Sequence, residues 1–75
     1  MTPEQCKAAR AMTGLSQDQL ATESDVAVST IIPFEQKQRV PYASTVDKLR
    51  AALEAAGVEF ISENGGGPGV RLRKG

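Results

Sequence analysis

Residues Ser16 to Pro41, SQDQLATESDVAVSTIIPFEQKQRVP, read as a short helix, a tight turn and a second helix. Ser16 is a favourable N-cap, and Gln19 three residues later completes a capping box. Leu20 and Ala21 give the first of these helices an inward face, with Ala21 small enough to let the second approach closely. Ser24-Asp25 interrupts the pattern, and Asp tolerates a left-handed backbone better than most residues. The apolar signal restarts at Val26, and Ile31 and Phe34 follow at the i, i+3 spacing of one buried helix face. Two helices are therefore expected to cross over a short turn, leaving the outer side of the second free.

Outward from this unit, Arg10, Leu15-Ser16-Gln17, Leu20-Ala21, Val26, Thr30-Ile31, Phe34-Glu35 and Pro41 together resemble phage-repressor/Cro-type (XRE family) DNA-binding domains, over roughly residues 4 to 57. The resemblance implies a compact helical domain that binds operator DNA as a dimer, with the helix after the turn in the major groove. It implies an Arg10–Glu35 ion pair tying the first helix to the third, where the plainer reading is two unrelated surface charges. It implies base-facing positions at Val28, Ser29, Ile32 and Pro33, and phosphate contacts from Gln17 and from Gln36, Lys37 and Arg39 in the following loop. Each of these polar residues would also be unexceptional in a solvated turn or loop.

The third helix, about Val28 to Gln36, departs from the pattern. Its N-cap position holds Ala27, so a side-chain cap of about 1 kcal/mol is missing. Pro33 falls inside it, at a cost of about 3 kcal/mol, so the helix is expected to bend or to begin later. Of the outward residues only Ser29 can hydrogen-bond; bidentate Arg–guanine or Gln–adenine pairings are absent. Apolar contact with thymine methyls and DNA shape remain as means of readout. The same apolar patch also suits a protein partner, which keeps an antiactivator-like or antitoxin-like interaction module as the alternative.

Before this unit, Thr2 and Pro3 suit the start of a helix with Glu4 near its positive end, and Gly14 suits its stop. Cys6, Ala9 and Thr13 share one face, with Cys6 read as a small buried apolar side chain. After it, Pro41 halts the chain and Ser44-x-x-Asp47 resembles a capping box. Val46, Leu49, Ala52, Leu53 and Ala56 repeat at helical spacing before Gly57 ends the run, with Asp47, Lys48, Arg50 and Glu54 on the polar side. Val58–Ile61 and Val70–Arg73 then read as strands around the loop from Ser62 to Gly69. No Gly-Lys-Ser/Thr follows the triple glycine, which excludes a phosphate-binding loop. An isolated hairpin is marginal in water, so it must lean on the helices or pair with a second subunit. Val58, Phe60, Ile61, Val70 and Leu72 are the expected dimerisation residues, and Arg71, Arg73 and Lys74 form a small basic tail.

Composition bounds the function. Seventy-five residues make one small domain, and 40% hydrophobic residues with few aromatics leave the core to Ala, Leu, Val and Ile. With one cysteine and no histidine, neither an internal disulfide, a zinc site nor a His-based catalytic centre is expected. No cofactor and no enzymatic activity are expected. No segment reads as a membrane span or a secretory signal, so the expected location is cytoplasmic. Net charge is zero, and residues 1–40 are slightly acidic, which argues mildly against nucleic acid. The expectation is a mainly α, four-helix helix-turn-helix domain over residues 1–57 with a C-terminal β-hairpin over 58–75. Its expected partners are double-stranded DNA and a second copy of itself, with a protein partner as the alternative.

Overall fold

The computed structural model describes residues 1–62 and 66–73. Its elements are α1 (Pro3–Thr13), α2 (Gln17–Ser24), α3 (Val28–Glu35), α4 (Ala43–Ala55), β1 (Val58–Ile61) and β2 (Gly69–Leu72). Four helices and one antiparallel two-strand hairpin make the mainly α architecture expected from the sequence. Glu63, Asn64, Gly65 and Lys74 lie outside the described residues.

Local chemistry sets most boundaries. α1 and α2 both open on capping boxes, Thr2 with Gln5 and Ser16 with Gln19, which satisfy backbone N–H groups that the helix cannot. α1 stops at Gly14 and α2 at Asp25, both in the left-handed conformation, at φ 75° and φ 58°. α3 has no side-chain cap at Ala27, yet it begins at Val28 and runs unbroken through Pro33. The late start does not occur, and Ile31 and Phe34 on either side of the proline are anchored in the core. The chain leaves α3 by two bonds, Gln38 N–H to the Pro33 carbonyl and Lys37 N–H to the Phe34 carbonyl, with Lys37 left-handed at φ 61°. This is a Schellman ending with lysine where glycine is usual.

Pro33 still denies the Ser29 carbonyl its helical donor. Pro33→Ala is therefore expected to raise stability by about 1–3 kcal/mol in urea denaturation. An unchanged midpoint would mean that the proline is already accommodated without loss.

α4 does not start at the expected Ser44 cap. It starts at Ala43, with Tyr42 as N-cap and no side-chain cap bond. Pro41 leaves the chain extended, and the Tyr42 carbonyl takes the N–H groups of both Thr45 and Val46. β2 likewise begins one residue earlier than expected, because Gly69 pairs with Ile61 in the register that also sets Phe60 against Val70 and Val58 against Leu72. Arg73 nevertheless extends the ladder, donating its N–H to the Gly57 carbonyl at 2.7 Å.

One core joins all of this. Cys6, Ala9, Leu20, Ile31, Leu49, Leu53 and Val58 are fully buried, with Val26 and Phe34 nearly so. Fully burying each large aliphatic or aromatic side chain is worth about 1.5–3 kcal/mol. Val58 brings the hairpin into the same core as the helices. The hairpin is also held by Gln5, a residue the sequence reading passes over. Its side-chain oxygen accepts from Thr2 N–H, while its amide nitrogen donates to the carbonyls of Ile61 at 3.2 Å and Gly69 at 3.0 Å. Arg50 adds a lid over the Phe60 ring, 5.5 Å from its centre. No described helix is long and apolar enough to cross a membrane.

Candidate functional site

The placement of α3 depends on Glu35, whose side chain is almost entirely buried at the end of that helix. Its Oε2 accepts from Arg10 Nε at 2.7 Å and from the Cys6 thiol at 3.2 Å. Its Oε1 accepts from Arg10 Nη2 at 2.7 Å and from Gln17 Nε2 at 3.0 Å. Arg10 also donates to the Leu15 carbonyl at 3.3 Å. One carboxylate thus draws α1, α2 and the end of α3 together. The Arg10–Glu35 ion pair is present as a bidentate fork, the strong form of such a contact.

Electrostatics follow from this packing. Burial alone would raise the Glu35 carboxyl, but the donors from Arg10, Cys6 and Gln17 outweigh it and hold the pKa below the usual value. Burial, with the neighbouring Glu35 carboxylate, pushes the Cys6 thiol up to about 12. Cys6 therefore stays a neutral donor, a poor nucleophile fixed in a structural role.

The Cys6 shift sets a pH dependence. A thiol raised in the fold holds its proton while the unfolded thiol, with its ordinary value of 9.0, releases it. Its contribution to stability is complete below pH 9 and declines from there towards pH 12. Cys6→Ser keeps a hydrogen-bond donor but removes that titration. The stability of the variant is expected to fall less steeply than the parent's above pH 9, as urea titrations at several pH values would show. Parallel curves would exclude the thiol as the cause.

The other side of α3 is uncovered. Ser29 is exposed, Ile32 and Pro33 are half-buried, and Val28 sits half-buried at the margin of this face. The expected base-facing positions thus share one accessible surface made almost entirely of C–H groups. Beside it, Thr30 of α3 shares an open groove of about 410 Å³ with Arg39, Val40, Pro41, Tyr42 and Thr45. Val40 and Tyr42 are 94% and 85% exposed, a feature that periodicity does not reveal because both lie in the connection between helices.

The residues nominated for phosphate divide. Gln36 and Arg39 are exposed beside α3. Lys37 is exposed and pairs with Glu4 of α1, a solvent-screened surface contact that is readily exchanged. Gln17 is half-buried, and its amide nitrogen donates to the charged Glu35 carboxylate. The expected dimerisation residues divide as well. The Val58 side chain is fully buried within a single chain. Phe60 and Val70 are half-buried and pack against the core, while Ile61 and Leu72 are 38% and 57% exposed. Arg71 is exposed and pairs with Glu59 across the strands at 3.0 Å.

No protein-family model matches this sequence, and no curated protein matches it.

Proposed function

We propose that this protein is a DNA-binding transcriptional regulator, cytoplasmic and without catalysis, that sets α3 into the major groove of operator DNA as a homodimer. The observation that carries this reading is the division of α3 into two sides. Ile31, Phe34 and Glu35 lock it onto α1 and α2, while Ser29, Ile32 and Pro33 stay accessible. A short helix held rigidly at an edge, following a second helix across a tight turn, has the form needed to enter a groove. Gln36, Lys37 and Arg39 lie directly after α3, where cationic and amide groups can meet phosphates. Ile61, Leu72 and the outer strand edges supply a surface for the second copy.

The apolar character of the accessible face favours one other reading, a protein-interaction module using Val28, Ile32 and Pro33. Salt separates the two. Retention of sheared genomic DNA by the immobilised protein, followed by sequencing, should enrich defined sites, and affinity for them should fall steeply as salt rises. No enrichment at low salt would remove the regulator reading and leave the interaction module.

A further inference from the structure

The uncovered side of α3 is chemically narrow. The helix, VSTIIPFE, contains no Lys, Arg, Asn or Gln, and its one charged residue, Glu35, is buried and occupied by donors from Arg10, Cys6 and Gln17. Its accessible face offers one hydroxyl, that of Ser29, among the C–H surfaces of Ile32, Pro33 and marginal Val28. The next side-chain amide along the chain belongs to Gln36, at the C-cap of the helix. Base discrimination by paired hydrogen bonds needs a fork of donors or acceptors, and none is present on this face. The one major-groove feature that apolar side chains recognise is the methyl group at C5 of a pyrimidine.

From this we infer that α3 reads DNA by its C5-methyl groups: its target is duplex DNA presenting thymine, or equally 5-methylcytosine, against Ile32 and Pro33. The inference rests on the regulator reading and specifies what that surface selects. 5-Methylcytosine carries the same methyl at the same ring position as thymine, so binding responds to cytosine methylation as well as to sequence.

The test begins with selection of a random-sequence duplex library by the full chain at low salt. Recovered duplexes are resynthesised with deoxyuridine for thymidine, which keeps the base pairing and deletes only the methyl. Affinity is expected to fall about fourfold for each contacted methyl removed, the equivalent of one buried carbon group. Exchanging a contacted T·A pair for 5-methylcytosine·guanine should retain more affinity than exchanging it for cytosine·guanine. Ile32→Ser, with its fold checked by circular dichroism, should bring the thymidine-to-deoxyuridine affinity ratio close to one. A change that merely loosened the fold would weaken both duplexes alike and leave the ratio standing. Equal binding of thymidine and deoxyuridine duplexes overturns the methyl inference and leaves the regulator reading intact. Failure to enrich any duplex overturns both.

Discussion

Glu35→Ala is expected to lose about 3–5 kcal/mol of unfolding free energy, because it strands a partly buried guanidinium. Arg10 would remain, with its side chain only 20% exposed and no counter-charge, and the donors of Cys6 and Gln17 would lose their acceptor. Domains have about 0.05–0.15 kcal/mol of stability per residue, so one of 75 residues holds about 4–11 kcal/mol in all. At the lower end of that range the variant would stand near its unfolding midpoint even without denaturant, and at the upper end it would stay folded with a clearly lowered urea midpoint. Urea is the right denaturant, since guanidinium would screen the charges under study. The double variant Arg10→Met with Glu35→Met removes both charges and should recover much of the loss. If single and double variants are equally unstable, shape rather than charge governs the site. The same carboxylate sets the acid limit of the fold. Its folded pKa lies below the ordinary 4.5, so its contribution is present above that value and is lost as pH falls below it.

Ile31→Ala should cost about 2–5 kcal/mol, the usual range for truncating a fully buried branched side chain. Ile31 is the apolar counterpart of Glu35, holding α3 against the core that Leu20 shares. Its neighbour supplies the control. Ile32 is half-buried on the accessible face, so Ile32→Ala should cost less than about 1 kcal/mol. Two adjacent isoleucines with such unequal effects would fix the rotation of α3 about its axis. Equal losses would mean that Ile32 belongs to the core and that the proposed contact face is misplaced.

Much of the helical framework was legible because its causes are local. The Ser16–Gln19 box, the stops at Gly14 and Asp25, and the buried Leu20, Ile31, Phe34, Leu49 and Leu53 follow from caps, turn residues and a 3.6-residue period. The Arg10–Glu35 pair came from the family resemblance, since two charges 25 residues apart have no periodic signature. The remaining features depend on contacts between distant segments. Nothing near Gln17 signals that its amide faces Glu35, and nothing near Val58 distinguishes a core residue from an interface one. The Thr2–Gln5 box was not read from the sequence, although its spacing is local, and the second duty of Gln5 against the hairpin appears only in three dimensions. At α4 a local signal misled. Ser44 has the right chemistry for a cap, yet Tyr42 two residues earlier opens the helix.

The bonds from Gln5 to Ile61 and Gly69 span 56 and 64 residues. Such contacts close long loops at a high entropic cost, so the helices are expected to assemble first and the hairpin to latch afterwards. Gln5→Glu, which keeps the capping oxygen and removes the amide donor, should accordingly speed unfolding while leaving the refolding rate nearly unchanged in stopped-flow measurements. On the ribosome, the same ordering would keep the start of α1 without its strand partners until Gly69 has emerged.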